Sequence, residues 1–265
     1  MISVIIPTYN RGYILQTTLH AYFSNLVSEI IIVDDGSNDN TEEVVKNLAK
    51  VNENIKYIKH KRRLGLPSAR NTGINFVSKN SEYIFFGEDD VILSENCYSV
   101  MLEALKSYSL DLIGTNVKYL SENEDYKKYF LEKIEILFPR SVYDIFRFKA
   151  IHLGKRKIYE ELKFDEKYIL SSYREETDFY LRAAKKYKIA MINNYLAFNL
   201  PRSMCSKGGE WSYNPIVYEF SAIYNNFRFF IKNKDLIKLS FKDCLKEQTK
   251  FVVERLRSLK AKILK

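Results

Sequence analysis

Cysteine, glycine, proline and tryptophan are all scarce in this sequence, and each scarcity excludes a class of protein. The three cysteines, Cys97, Cys205 and Cys244, are odd in number, widely spaced and outside any metal-ligand pattern. This excludes a disulfide framework or a zinc site and indicates a reducing compartment. Nine glycines and five prolines in 265 residues argue against long flexible linkers. No apolar run approaches the ~20 residues of a membrane span. Met1 runs straight into a predicted strand without a signal peptide, so we expect a cytoplasmic protein.

The net positive charge predicts an anionic binding partner. The net charge is +9 and the isoelectric point is near 9.2, so nucleic acid, an anionic membrane surface or a phosphorylated substrate would suit it. Basic residues dominate from Lys232 onward, whereas the first half is nearly balanced. No nucleic-acid-binding module is recognisable in the sequence, so we predict that nucleic acid is not a partner.

Strand and helix patterns alternate through the first half of the chain. Predicted strands are 3–7, 29–33, 55–59 and 83–86, and predicted helices are 11–23, 41–51 and 67–78. This order predicts a mostly parallel sheet with helices on both faces, whose ligands bind beyond the carboxyl ends of the strands. Later segments predict strands 111–117 and 189–198 and helices 94–108, 175–186, 218–231 and 242–265, while 121–148 has no clear period.

Two predicted strands end in acidic turns, which should lie at one mouth of the sheet. Asp34 and Asp35 follow the second strand, and Glu88, Asp89 and Asp90 follow the strand 83–86, after a glycine that lets the backbone turn. Three adjacent acids repel one another unless a cation or hydrogen-bond donors offset their charge. A Mg²⁺ or Mn²⁺ ion that also binds a diphosphate would do so. The alternative is a polar strand end in solvent.

Several motifs, taken together and in order, resemble one enzyme family. They are SVIIPTYNR, IIVDDGSNDNT, FFGEDD, EETDFYLR (Glu175 to Arg182) and the pair Gly208-Gly209. The set resembles inverting glycosyltransferases of the GT-A fold, family 2 type, over residues 1 to about 210. The resemblance implies an α/β, GT-A-like fold with a mostly parallel central sheet flanked by helices and a C-terminal helical extension. We predict a GT-A domain over 1–215 (nucleotide-binding half 1–118, acceptor half 119–215) and an extension over 216–265.

The resemblance also implies a nucleotide site. Its predicted residues are Pro7, Thr8, Tyr9, Arg11, Asp35, Arg70, Glu88 and Asp89. Tyr9 offers a ring on which a flat base could lie, although it could instead pack on its own helix. Asp35 would accept the imide N–H of uracil, which favours a UDP-sugar, but guanine and thymine carry the same donor. Arg70 would contact the nucleotide or, alternatively, form a surface salt bridge. Asp34 would orient the turn or, alternatively, form an Asx-turn or a helix cap before Thr41.

For the metal, Mn²⁺ or Mg²⁺, the resemblance implies the motif Glu88-x-Asp90. Asp90 would bind the ion, and Glu88 is one methylene longer than the usual aspartate. Relatives often add a histidine where this chain has Asn199, whose carbonyl oxygen can still ligate a hard cation. Affinity would then be weaker, or part of the activity lost. The three histidines, His20, His60 and His152, are predicted to be surface or structural residues.

Three acids open the helix predicted at 175–186 and are the candidate catalytic residues: Glu175, Glu176 and Asp178. A hydroxyl acceptor needs a carboxylate to take its proton, and a helix N-terminus keeps acids ionised. The resemblance implies Glu176 as the base. Asp178 would then orient the acceptor or the base and could pair with Arg182. Each acid could instead be an ordinary helix-start residue.

The expected function is metal-dependent inverting transfer of a sugar from a nucleotide-diphosphate sugar to a hydroxyl of a glycan or lipid-linked glycan. A polyprenyl-phosphate sugar synthase and a non-catalytic sugar-nucleotide or glycan-binding protein are the alternatives. The last predicted helix places an apolar stripe among basic residues: Phe241, Leu245, Val252, Leu256, Leu259 and Ile263. It is either a packing helix or an amphipathic helix on an anionic membrane, which would make the protein peripheral on the cytoplasmic face.

Overall fold

Parallel strands and connecting helices alternate in the N-terminal part of the protein, as the sequence pattern predicts. The structure, a computed structural model, describes residues 1–129 and 133–263. Its first elements are β1 (Ile2–Thr8), α1 (Gly12–Thr18), β2 (Val27–Asp34), α2 (Thr41–Val51), β3 (Ile55–Lys59), α3 (Leu66–Phe76) and β4 (Tyr83–Phe86). β1 pairs in parallel with β2 and β4, and β2 pairs in parallel with β3. The predicted bounds of α2, β3 and β4 are confirmed to the residue, whereas the predicted helix 11–23 ends in a 3₁₀ turn over Leu19–Tyr22.

Antiparallel strands complete the sheet. The next elements are β5 (Val91–Leu93), α4 (Cys97–Ser107), β6 (Leu112–Tyr119), β7 (Ile136–Leu137), α5 (Val142–Ile145), β8 (His152–Lys155), α6 (Arg156–Glu161), α7 (Glu175–Ala184) and β9 (Ile189–Asn199). The strand order is β3-β2-β1-β4-β8-β6-β9-β5, with β7 beside β9. β8 is antiparallel to β4 and β6, β5 and β7 are antiparallel to β9, and β6 is parallel to β9.

The predicted α/β fold is thus confirmed, and its sheet is mixed: β1 to β4 pair in parallel as predicted and so do β6 and β9, whereas β8 with β4 and β6, and β5 and β7 with β9, are antiparallel. Parallel neighbours need a long crossover connection, usually a helix. The described part of 120–151 instead carries a 3₁₀ turn, a two-residue strand and a four-residue helix, so β8 returns in the opposite direction to β6. The short elements β5, β8 and α6 are not predicted from the sequence. Residues 130–132 of the segment without a clear period, and 264–265 of the last predicted helix, lie outside the described residues.

The core lies on both faces of the sheet. Val4 and Ile6 of β1 point to the face covered by α1, α2 and α4, whereas Ile5 points to the face covered by α3 and α7. Helix α3 lies very close to β1, since a Cβ on Gly73 would be 2.4 Å from the Ile5 side chain. This close contact fixes the position of α3 against β1, next to the carboxyl ends of the strands.

Two helices follow the sheet: α8 (Pro215–Ile237) and α9 (Phe241–Ile263). They are antiparallel, with Asn226 donating to Gln248 at 2.7 Å and Arg255 3.3 Å from Glu219. The predicted boundary at 215 coincides with the start of α8. The predicted boundary at 118 falls inside β6, whose pairing with β9 joins the two predicted halves in one sheet. Within 1–129 and 133–263, no helix combines the length and apolar character that crossing a bilayer requires.

Candidate active site

The carboxyl ends of β1, β2 and β4 meet at one edge of the sheet and bring the predicted acids together. The Thr8 hydroxyl, at the end of β1, donates to Asp89 at 2.8 Å, and the Asp35 amide donates to the Thr8 carbonyl at 2.9 Å. Gly87 precedes the acids because a Cβ there would lie 2.5 Å from the ring of Tyr22. Its role is therefore close packing rather than a turn at positive φ. The predicted shared mouth is confirmed.

The acids Glu88, Asp89 and Asp90 form a half-buried cluster of like charge. Burial, with the Asp90 carboxylate nearby, raises the pKa of Asp89 to about 7, although Arg11 opposes the shift. Burial and the neighbouring acids also raise the pKa of Glu88, and burial raises the pKa of Asp90. An incoming cation would relieve this repulsion. In the described chain, however, no three or more His, Cys, Asp or Glu side chains are arranged to hold a metal by themselves.

Asn199 lies beside Asp90, as the sequence predicts. Strand β9 pairs with β5 so that Asn199 faces Val91, and its Nδ2 donates to Asp90 Oδ1 at 3.1 Å. The Leu200 amide also donates to the Asp90 carbonyl, at 2.9 Å. Asn199 thus presents its N–H₂ to the carboxylate, and half a turn of the amide would present the carbonyl oxygen to a cation instead.

Arg11 is a buried cation with unused hydrogen-bonding capacity. Its side chain is 3% exposed, and its Nη1 lies 3.8 Å from Asp90 Oδ2. The Nε and Nη1 donors are buried and have no hydrogen-bond partner. Burial opposes the charge, but Asp89 and Asp90 hold the pKa of Arg11 above its usual value. Because buried donors are normally paired, these two mark a place for an anion.

The paired glycines close a loop over Arg11. Gly208 and Gly209 have φ of 71° and 49°, the left-handed region that favours glycine. A Cβ on Gly208 would lie 2.1 Å from the Asn10 carbonyl oxygen, and one on Gly209 would lie 2.9 Å from Arg11 Nη2. The Gly209 amide donates to the Tyr9 carbonyl at 2.7 Å. Side chains at these positions would therefore push the loop off the end of β1.

Arg63 is a site residue that the sequence analysis missed. Its guanidinium carbon lies 3.9 Å from the ring centroid of Tyr9 and 4.0 Å from that of Tyr213. It also donates to the Gly209 carbonyl at 2.8 Å and to Ser212 Oγ at 2.7 Å. Arg63 thus covers one face of the Tyr9 ring, the ring on which a base was expected to lie. The run His60-Lys-Arg-Arg63 between β3 and α3 is the sequence signal that could have indicated it.

Asp35 holds the loop that carries Arg63. It is 5% exposed and accepts the amides of Leu64 and Gly65, both at 2.8 Å. His60 Nδ1 lies 2.8 Å from the same carboxylate, so this histidine belongs to the site rather than to the surface. Asp34 accepts the amide of the residue three positions later at 2.7 Å, the turn-forming role considered for it. Recognition of a base by Asp35 stays a prediction.

Arg70 does not face the mouth as predicted. Its side chain is fully buried and forms ion pairs with Glu175 and with Glu176, the latter at 2.9 Å, while Glu88 lies 3.9 Å away. The close packing of α3 on β1 aims the guanidinium at these carboxylates. Both the predicted nucleotide contact and the alternative of a surface salt bridge are therefore wrong for this conformation, in which Arg70 joins α3 to α7.

The three candidate catalytic acids differ in how deeply their side chains are buried. Asp178 has no exposed side-chain surface and pairs with Lys232 at 2.8 Å and with Arg182 at 2.9 Å. The pairing with Arg182 is confirmed. A fully buried Asp178 does not reach an acceptor, whereas its alternative role, orienting the base, stays a prediction. The Glu175 side chain, which pairs with Arg70, is 1% exposed, whereas the Glu176 side chain is 30% exposed. Glu176 is the acid of this helix that a substrate can reach.

The other two histidines and the cysteines behave as predicted. His20 is exposed, and His152 is buried, stacks on Phe86 and donates from Nδ1 to the Ala150 carbonyl at 2.7 Å. Burial lowers the pKa of His152 to about 3, so it is neutral. All three cysteines are buried free thiols.

The fold and the acids at its strand ends define a sugar transferase of the GT-A class. Residues 3–165 match the sequence model described as Glycosyl transferase family 2. This match covers more than half of the chain, so the protein belongs to glycosyl transferase family 2, an enzyme family that transfers sugars. The resemblance drawn from the motifs is confirmed.

Curated relatives agree with this assignment. The chain is 25% identical over 255 residues to the uncharacterized glycosyltransferase MJ1057 of Methanocaldococcus jannaschii, covering 91% of this chain and 85% of the relative. It is 29% identical over 197 residues to the GalNAc(5)-diNAcBac-PP-undecaprenol beta-1,3-glucosyltransferase of Campylobacter jejuni, covering 69% and 62%. It spans 26% of glycosyltransferase GlyA of Streptococcus pneumoniae, at 27% identity over 62% of this chain.

Solved structures share the fold. The crystal structure of residues 1–349 of S. aureus TarS in complex with UDP-GlcNAc aligns with a TM-score of 0.65 at 17% identity, covering 96% of this chain and 71% of that one. The predicted GT-A-like architecture is thereby confirmed.

Proposed function

We propose that this protein transfers a sugar from a nucleotide-diphosphate sugar, with UDP as the favoured nucleotide, to a hydroxyl of a glycan or lipid-linked glycan. The observation that carries the proposal is the pair of unpartnered Arg11 donors beside the three acids of the mouth. The UDP-GlcNAc complex of TarS supports the donor class. The names of two relatives support the acceptor class. The Campylobacter jejuni enzyme is named for an undecaprenol-linked glycan, and TarP of Staphylococcus aureus is named as a poly(ribitol-phosphate) beta-N-acetylglucosaminyltransferase.

The diphosphate would lie between Arg11 and the acid cluster. Arg11 supplies fixed positive charge in a buried place, where hydrogen bonds to an anion are strongest. Phosphate oxygens would accept from its Nε and Nη1, the two donors that have no partner in the protein. The diglycine loop above Arg11 would close the site over the donor, because its backbone contacts Tyr9 directly.

A Mn²⁺ or Mg²⁺ ion fits the acids that remain. Asp90 would hold it, with Glu88 and the carbonyl of a rotated Asn199 as further ligands. The scarcity of protein ligands suits such an ion, which is usually bound by one or two carboxylates together with substrate phosphates and water. When bound, the ion supplies positive charge that stabilises the departing nucleoside diphosphate.

Glu176 would act as the base of an inverting reaction. The acceptor oxygen bonds to the anomeric carbon from the side opposite the leaving group as the bond to the diphosphate oxygen breaks. The hydroxyl proton passes to the carboxylate of Glu176, which accepts a hydrogen bond from Arg70 at 2.9 Å. Glu88 lies 3.9 Å from the same arginine nitrogen, Nη2, so a base at Glu176 would be close to the acid cluster.

The ion pair between Arg70 and Glu176 favours one alternative function, that of a polyprenyl-phosphate sugar synthase. A carboxylate paired with arginine is a weak proton acceptor, and a phosphate acceptor is already an anion that needs no base. The non-catalytic alternative is supported by Asn199, which replaces a histidine ligand.

The test compares Glu176→Gln with Glu160→Gln, a matched change in a surface ion pair. We expect Glu176→Gln to lower transfer to hydroxyl acceptors by about 10²-fold or more while UDP binding stays near wild type, and Glu160→Gln to change neither. Full transfer to a polyprenyl phosphate by Glu176→Gln would select the synthase. UDP binding by the wild type without any transfer would select the binding protein.

A further inference from the structure

Helix α8 exposes an apolar stripe that the sequence analysis did not identify. Large apolar residues on it are 38–58% exposed: Ile216, Val217, Phe220, Tyr224, Phe227 and Ile231. At 3.6 residues per turn, all six fall within about 100° of the helix circumference. The opposite face, with Ala222 and Phe229, is buried against the domain. The stripe is therefore a continuous outward face rather than a set of scattered residues.

Helix α9 carries the stripe that the sequence predicts, and part of it is equally exposed. Phe241, Leu245 and Leu256 are 48–62% exposed. Gln248 and Arg255 contact α8, while Cys244 is buried and Phe251 stacks on Tyr173. Helix α9 therefore packs on the domain, as one of the two predicted alternatives has it, but part of its predicted apolar stripe stays exposed.

The two stripes face the same way. The pairs Asn226–Gln248 and Glu219–Arg255 define the sides on which α8 and α9 meet. Counted in the same sense around each helix, the α8 stripe is centred about 120° from that contact side and the α9 stripe about 60° from it. Because the helices are antiparallel, these rotations bring both stripes to the side away from the sheet. The hairpin α8–α9 therefore presents one apolar surface built from two helices.

The charge around this surface is strongly positive. Residues 216–265 contain twelve of the 42 Lys and Arg residues but five of the 33 Asp and Glu residues. Exposed basic side chains border the α9 stripe: Lys242, Lys246, Arg257 and Lys260. A second copy of the hairpin would bring like charges together, whereas an anionic lipid surface would offset them.

We propose that the α8–α9 hairpin is a membrane-docking surface. Phe220, Tyr224 and Phe227 enter the interface of an anionic bilayer while the lysines of α9 bind its headgroups. The hairpin begins beside the mouth, since the Tyr218 hydroxyl donates at 3.1 Å to Glu210, within the turn that carries Gly209. Docking would thus hold the site near a lipid-linked acceptor, a consequence that rests on the proposed function.

The test is co-sedimentation of the full chain with vesicles, without donor or acceptor, so that its result does not depend on catalysis. We expect binding to vesicles of phosphatidylglycerol and phosphatidylcholine, weakened by salt, and little binding to phosphatidylcholine alone. Phe220→Ser with Phe227→Ser should weaken binding by about 10-fold or more. The matched control changes two exposed apolar residues elsewhere, Val51→Ser with Phe76→Ser, and should bind as the wild type does.

A second pair tests the charges. Lys242→Glu with Lys246→Glu should weaken vesicle binding by about 10-fold or more. The control, Lys79→Glu with Lys106→Glu, changes an exposed lysine before β4 and another on α4, and it should have a much smaller effect. Circular dichroism and thermal unfolding verify that all variants fold. Equal binding by the hairpin and control variants would overturn the proposal. So would concentration-dependent dimerisation that Phe220→Ser with Phe227→Ser abolishes while vesicle binding is absent, since the surface would then hold a second copy.

Discussion

Removing the Arg70 side chain should separate α3 from α7 and strongly destabilise the protein. Arg70 is fully buried and Glu175 is 1% exposed, so the variant Arg70→Met leaves an unpaired carboxylate in the core. Breaking a buried ion pair from one side costs about 3–5 kcal/mol. The surface pair of Arg156 with Glu160, 3.4 Å apart, is the matched control, and Arg156→Met should cost at most about 1 kcal/mol.

The double variant Arg70→Met with Glu175→Met makes the prediction specific. It removes both buried charges and leaves Glu176 in contact with water. We expect it to be more stable than Arg70→Met alone, with a coupling free energy of about 2–3 kcal/mol. Urea unfolding followed by circular dichroism measures the free energies of the four proteins in this cycle: the wild type, Arg70→Met, Glu175→Met and the double variant. A cost below about 1 kcal/mol for Arg70→Met, or additive effects in the double variant, would refute the role of Arg70 in joining the helices.

Three further predictions concern single residues. Asp178→Asn should lower the unfolding free energy by about 1–3 kcal/mol, because the buried carboxylate that accepts from Arg182, Lys232 and Asn233 becomes a neutral amide; loss of transfer with unchanged stability would contradict this. Gly208→Ala should weaken UDP binding at least about 10-fold while the sheet stays folded, because its Cβ would lie 2.1 Å from a carbonyl oxygen; calorimetry showing wild-type affinity would count against the loop. Burial alone would raise the pKa of Glu29, but Lys56 and hydrogen bonds hold it below its usual value. Its stabilisation is therefore present above about pH 4.3 and is lost as the pH falls through the lowered pKa. Glu29→Gln should reduce the fall of the unfolding free energy at acid pH. An unaltered pH dependence of the unfolding free energy would exclude this stabilising role of Glu29.

The elements of the first half could be predicted because their signals are local. Helix α2 has acids in its first turn and an apolar period, β4 is an apolar run bounded by polar residues, and β3 is a short segment of isoleucine, tyrosine and lysine. The acidic strand ends were predicted to converge because parallel order fixes which ends share an edge. The short strands β5 and β8 carry too few residues for a periodic signal.

The partners of the site residues could not be predicted, since they are distant in sequence. Arg70 meets Glu175, which lies 105 positions further along the chain, and this contact removes both from the mouth. Arg63 stacks on Tyr213 through the diglycine loop, which no local pattern indicates. Helix α9 has a clear apolar period, but the sequence does not show which of its sides meets α8: Gln248 and Arg255 make that contact, and Phe241, Leu245 and Leu256 are exposed.

The most direct test of the account is calorimetric titration of UDP with and without Mn²⁺, in the wild type, in Asp90→Asn and in the exposed control Asp243→Asn. The account predicts that Mn²⁺ strengthens UDP binding to the wild type and the control, and that Asp90→Asn loses this metal dependence while circular dichroism shows an intact fold. Equal UDP affinity with and without Mn²⁺, or unchanged metal dependence in Asp90→Asn, would contradict the assignment of these acids to a metal-bound diphosphate.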